Sequence, residues 1–234
     1  MRALCSVLVL VLIVSGVEGQ ESRRASAFKN FQSLKTIALK NRPAGLQETP
    51  YKDIDGNPYY FESISMADLT LNSDEVIEQV PMRIDLYAEE MIAKESDNKL
   101  IYLDPKYYKK ISIKKGDDIH VFKKLHPDHP VDFYEVLVET ETLLFLKTKS
   151  VDHVEMSMIV SGQRQEVNKF NQVVKYILVR DSKVTDLNLK KKKFYKSFSK
   201  KEQSIMKEYE KSAKLSLKEE TDFVALINHL IAQN

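Results

Sequence analysis

Between Gly56 and Asp186 the chain is divided into short apolar runs by spacers that are mostly too brief to hold a helix, the fourteen residues SGQRQEVNKFNQVV being the longest, and no other feature constrains its fold as much. The runs are NPYYFES, ADLTL, MRIDLYA, EMIAKE, KLIYLD, KKISIK, DIHVFKKL, FYEVLVE, TLLFLKTK, HVEMSMIV and KYILVRDS. Turn-rich spacers such as NSDE, SDNK, KKGDD, HPDHPVD and ETE lie between them. Parallel neighbours require a crossover of roughly a dozen residues or more, usually a helix, whereas antiparallel ones are joined by a hairpin. DPKYYKK has room for one helical turn at most. The expectation over 56–186 is an antiparallel β-rich meander, laid out as a sheet, a sandwich or a partial barrel.

After Asp186 the apolar period lengthens. In SKKEQSIMKEYEKSA, Ser199 and Glu202 form a capping box ahead of Ile205, Met206, Tyr209 and Ala213 at helical spacing. Ser216 and Glu219 repeat the device before ETDFVALINHLIA, where Phe223, Leu226, Ile227, Leu230 and Ile231 share one face. A third, shorter helix is expected in LKKKKFYKSF, with Phe194 and Phe198 one turn apart. Isolated helices of this length are marginal in water, so 187–234 is expected to pack its apolar stripes on the sheet. The fold class is therefore α+β: an antiparallel β-rich region followed by C-terminal α-helices.

Residues 1–19 read as an export signal: Arg2, an uncharged apolar run to Val14, then the small residues Val17 and Gly19 at peptidase spacing. That run is too short to span a bilayer, and no later one reaches the necessary length. The mature chain is expected to be soluble from about Gln20 onward, in the periplasm or outside the cell. Cys5, the one cysteine, lies ahead of the apolar run, which disfavours a lipid anchor and leaves the mature chain without disulfides. Burial alone must hold the fold. Residues 20–55 read as a leader or linker, with Phe28, Phe31, Leu34 and Ile37 spaced for a short helix.

With 36 basic and 34 acidic residues the chain carries a net charge of +2, so its overall field gives no reason to expect a nucleic-acid partner. The mature chain retains the glycines Gly45, Gly56, Gly116 and Gly162, no two of them within ten residues, which excludes phosphate-cradling and dinucleotide fingerprints as sequence motifs. It has no cysteine nucleophile, no G-x-S-x-G elbow, no H-E-x-x-H and no tryptophan. A carboxylate pair that includes Glu135 or Glu139 stays open, because such pairs are defined in space rather than in sequence.

Three stretches suggest binding chemistry, each with a plainer alternative. In HPDHP, His126, Asp128 and His129 offer two imidazoles and a carboxylate that could hold zinc or copper with an open position. Pro127 and Pro130 also make this segment a stiff corner between strands, and the turn is the preferred reading. His120 is roughly 20 Å away along an extended strand, too far for the same ion, and His153 would have to approach through tertiary pairing. In YKDIDGNPYY, Asp53, Asp55 and Asn57 begin like a calcium loop, but Pro58 and Ile64 occupy the places where glycine and glutamate are needed, so a tight turn is expected. Lys190, Lys191, Lys192, Lys193 and Lys196, continued by Lys200 and Lys201, could meet an anionic surface; otherwise they are a solvated helix face whose aromatic residues Phe194, Tyr195 and Phe198 turn inward.

Taken in order, GNPYYFES, VPMRIDLYAEEMIAK, FYEVLVE, TLLFLKTK, LKKKKFYKSF and the two closing helices resemble a group of small exported proteins of Bacteroidota over roughly residues 56–232. The group's Gly-x-Pro-Tyr opening is matched by Gly56, Asn57, Pro58 and Tyr59. The resemblance implies export and an architecture of strands and turns, and it carries over neither an activity nor catalytic residues. The expected function is a non-enzymatic envelope or secreted module that binds a protein or polymer through its sheet face or its basic helix, with no cofactor. The alternative is a metal-assisted hydrolase using His126, Asp128 and His129.

Overall fold

The computed structural model describes residues 51–96, 99–125, 133–161 and 163–233. Ten strands form one antiparallel sheet: β1 (Ser65–Leu71), β2 (Val76–Asp85), β3 (Glu90–Ser96), β4 (Lys99–Leu103), β5 (Tyr108–Lys115), β6 (Asp118–Lys124), β7 (Phe133–Glu139), β8 (Leu143–Val160), β9 (Gln163–Arg180) and β10 (Lys183–Leu187). Their order is β10-β9-β8-β7-β6-β5-β1-β2-β3-β4, two meanders joined side by side through β1 and β5. A 3-10 turn at Pro105–Tyr107, capped by the Asp104 carboxylate on the Lys106 N–H, begins the return from the β4 edge to β5. This is the single helical turn that DPKYYKK has room for.

Individual strands differ from the apolar runs. TLLFLKTK and HVEMSMIV fuse into β8, while KYILVR is the end of β9, which begins at Gln163. β8 and β9 pair without interruption from Leu143↔Arg180 to Val160↔Gln163, so cross-strand partners carry polar stretches that local alternation does not mark. KVTDL adds β10. β2 runs through Pro81, which a strand interior usually excludes; the β3 ladder starts only at Met82, so the missing N–H deprives no β3 partner.

NPYYFES, expected as a strand, belongs instead to a strap. Asp55 bridges Lys169 on β9, with its N–H donated to the Asn168 carbonyl (3.0 Å) and its own carbonyl accepting the Phe170 N–H (2.8 Å). Four residues on, Tyr59 bridges Asp85 at the end of β2, and the Tyr60 N–H is donated to the Ile84 carbonyl (2.9 Å). Five strands separate β9 from β2 in the sheet order. Laid flat, that is about 29 Å at the usual strand spacing, whereas four residues reach about 14 Å. The sheet is therefore curled towards a partial barrel, with the strap crossing its open side. Gly56 permits the close approach: its φ is +92°, and a Cβ there would lie 2.7 Å from the Phe170 carbonyl oxygen.

Two cores result. Beneath the strap, Leu69, Ile77, Met82, Ile111, Ile113 and Phe122 pack with Tyr60. At the other end, Val138, Phe145 and Leu178 of the sheet meet Phe194, Met206, Phe223, Leu226 and Ile227 of three helices, α1 (Lys191–Lys196), α2 (Lys200–Ser212) and α3 (Glu220–Ala232). The Ser199/Glu202 capping box forms as its spacing predicts. α3 departs from expectation: it starts at Glu220 with no side-chain cap, and the Ser216 hydroxyl is donated to Asp222 instead (2.9 Å). Tyr209 and His229 stack with ring centroids 4.0 Å apart, joining α2 to α3.

Candidate functional site

Residues directly opposite on neighbouring strands point to the same face of a sheet. One such row crosses eight strands: Ile77, Leu69, Ile111, Phe122, Glu135, Lys147, Tyr176 and Leu187. From β2 to β6 it is apolar and fully covered. At β7 it changes to a carboxylate, then an ammonium, then a phenol, and becomes apolar again at Leu187.

Glu135 is 3% exposed, so its lone pairs must be met by protein groups. The Tyr60 hydroxyl donates to Oε2 at 2.5 Å, and Lys147 Nζ lies 3.3 Å from the same oxygen. His120 Nδ1 lies 2.5 Å from Oε1; since a carboxylate only accepts, this nitrogen carries the proton. Lys147 also donates to Glu220 on the first turn of α3 (3.0 Å), and Glu220 in turn accepts the Tyr176 hydroxyl (2.7 Å). The network thus joins the strap, β6, β7, β8, β9 and α3. Phe61 covers it, its ring centroid 4.8 Å from that of His120.

Burial is the largest single influence on Glu135 and pushes its pKa up, but hydrogen bonds from Tyr60 and His120 and the charge of Lys147 together hold it below the ordinary carboxylate value. Burial, followed by the Glu135 charge, drives the Tyr60 phenol far above its usual range. Tyr60 therefore remains a donor, and Glu135 an acceptor, at neutral pH.

Strand alternation could not have marked this site. Strict period two in FYEVLVE places Glu135 and Val138 on opposite faces. A register shift between Val136 and Val138 bends β7 so that both are buried. Glu139, the other carboxylate singled out in this strand, is exposed and pairs with Lys123 at 2.6 Å. Glu135 faces Lys147 and Phe122 across the sheet, with no second carboxylate opposite it.

Other residues chosen from the sequence fall elsewhere. His126, Asp128 and His129 lie outside the described residues, and among the described residues no group of three or more His, Cys, Asp or Glu could hold a metal ion. His120 is engaged with Glu135, and His153 Nε2 lies 2.6 Å from the Asn168 side-chain oxygen. The tight turn expected at DGNP does not close: Asp55 bridges Lys169, Gly56 is a bend in the crossing to Tyr59, and the Asn57 side chain accepts the Tyr59 N–H (2.9 Å).

Lys190, Lys191, Lys192, Lys193, Lys196, Lys200 and Lys201 are all exposed, whereas Phe194, Tyr195 and Phe198 are buried. The aromatic residues are core, as the solvated-face alternative expects. Lys191 pairs with Glu210, and Lys207 sits 5.3 Å from the Tyr195 ring centroid. Residues 190–218 hold eleven of the 36 basic residues and three of the 34 acidic ones, so this stretch carries +8 and the rest of the chain −6. All eleven of its lysines are exposed.

No helix among the described residues is long and apolar enough to cross a membrane. No family model matches the chain, and neither does any curated protein or solved structure.

Proposed function

We propose that this chain is an exported, non-enzymatic binding module that engages an anionic envelope polymer through the basic face of its C-terminal helices. The observation that carries this reading is the charge separation: +8 between Lys190 and Lys218 in a chain of net +2, on helices whose apolar sides are already spent on the sheet. Local helix stability does not account for it. α1 and the N-cap residue before it present four consecutive lysines, Lys190 to Lys193, with no acidic residue in the first turn and no side-chain cap. Cations at a helix N-terminus oppose the macrodipole, and neighbouring like charges repel. A face kept this way despite its cost suits a polyanion, which gains from many simultaneous weak contacts. The signal-like residues 1–19 and the resemblance to exported proteins of Bacteroidota support placement in the envelope or outside the cell.

The test is binding of the chain from Gln20 to immobilised dextran sulfate, with neutral dextran as control, across a range of salt. Binding to the sulfated polymer alone is expected, weakening steeply as salt rises. Replacing Lys192, Lys193, Lys196 and Lys200 with glutamine should reduce it by about tenfold or more at low salt, with the melting temperature equal to or slightly above that of the unaltered protein. Binding that is indifferent to salt, or equal in the variant, would reject the reading.

A further inference from the structure

Inside the curl, between the ends of β2 and β3 on one side and β8 on the other, lies a cavity of about 190 Å³. Tyr60, Met91, Phe122 and Phe133 supply apolar wall, and Lys149 supplies a cation. Phe122 and Met91 are buried, so this wall is fixed by the core rather than by mobile surface chains. Lys147, two residues back on the same face of β8, has two carboxylates. Lys149 has none within ion-pairing distance among the described residues. Its ammonium donates to the Tyr60 carbonyl (3.2 Å) and lies 4.4 Å from the Tyr60 ring centroid.

We propose that this cavity binds a small organic monocarboxylate, its carboxylate on Lys149 and its aromatic or aliphatic body against Phe133, Tyr60 and Met91. The volume exceeds the roughly 150 Å³ that accommodates benzene in a dry apolar cavity, which sets a ligand of about eight to ten non-hydrogen atoms in all, its carboxylate included. Burial, and then the Lys147 charge, hold the Lys149 pKa below its usual value, so an arriving anion compensates a charge the protein leaves poorly balanced. Asp85, also in the lining, does not compete for Lys149. Its Oδ2 accepts the Tyr51 hydroxyl (2.9 Å) and its Oδ1 the N–H groups of Tyr87 (3.0 Å) and Ala88 (2.8 Å). Glu89 and Glu90 line the opposite side, so an amine is the rival ligand and belongs in the test.

The experiment is calorimetric titration of the chain from Gln20 with phenylacetate, 2-phenylethanol and 2-phenylethylamine, which share a body and differ in charge. Saturable binding of phenylacetate is expected, about tenfold or more tighter than the alcohol and the amine. Lys149→Met should abolish that preference and Lys149→Arg should keep it. Phe133→Ala should weaken phenylacetate and 2-phenylethanol alike, leaving the charge preference intact. No saturable binding of phenylacetate, equal binding of the alcohol, preference for the amine, or an unchanged preference in Lys149→Met would each overturn the proposal. The three ligands are compared on the unaltered protein, so the test does not depend on any variant folding.

Discussion

The inner row of the sheet has two halves built on the same backbone geometry from opposite chemistry. From Ile77 through Leu69 and Ile111 to Phe122 every residue is apolar and essentially without solvent, closed over by the strap. From Glu135 through Lys147 to Tyr176 the same row is a chain of hydrogen bonds and ion pairs. The apolar half needs only to exclude water, and hydrophobic burial is non-directional. At the polar half the strap, four side chains of the sheet and α3 must meet in one arrangement, and directional bonds specify an arrangement where apolar contact does not. The difference teaches that burial supplies most of the stability while the seam locates α3 and the strap on the sheet. A buried ion pair is by itself a poor source of net stability.

Breaking each half should show this. Phe122→Ala is expected to have the largest effect, a loss of about 3–5 kcal/mol by denaturant titration, because it opens a cavity between the strap and the sheet. Glu135→Gln should cost less, about 2–3 kcal/mol, since the amide keeps the volume and one acceptor but leaves the buried end of Lys147 to Glu220 alone. Its cost should also depend on pH. The folded-state pKa of Glu135 lies below its unfolded value, so its contribution is fully present above the unfolded carboxylate range and fades as pH falls through the folded value. Stability curves of the two proteins should therefore converge below about pH 4. A gap that stayed constant into acid would mean that Glu135 acts through shape alone.

The smallest of these effects sharpens the comparison at the strap. Gly56→Ala should cost about 1–2 kcal/mol, because the new Cβ meets the Phe170 carbonyl at 2.7 Å and the left-handed φ is unfavourable for alanine. Hydrogen exchange should then show faster opening at the Asp55–Phe170 bonds than at Ile111 or Phe122. Uniformly faster exchange in both halves would mean that the strap is part of the apolar core rather than a closure laid over it.

Much of the architecture is legible in the amino-acid sequence. The hairpin-sized spacers require antiparallel neighbours, Ser199 and Glu202 mark the start of α2, and the inward turn of Phe194 and Phe198 follows from their spacing. The candidate site was much less so. Glu135 sits in a strand whose alternation assigns it no role, and its burial depends on the register shift after Val136. Tyr60 lies in a segment whose composition suggests a strand, and it reaches Glu135 across 75 residues only because the sheet curls. Lys149 looks like an ordinary solvent-facing lysine in TLLFLKTK, and its place in the cavity depends on β2 and β3 being brought opposite β8.

The sequence by itself determined the strand direction, the helical ending, the capping of α2 and the concentration of positive charge between Lys190 and Lys218. Those properties depend on spacing, period and count, which are local or additive along the chain. Only the tertiary structure decided that β8 and β9 form one long ribbon, that residues 51–61 close the curl, and that an ion-paired seam meets a cavity beside it. Each of those requires partners distant in the chain, and a partner's identity is set by which surfaces pack together in three dimensions.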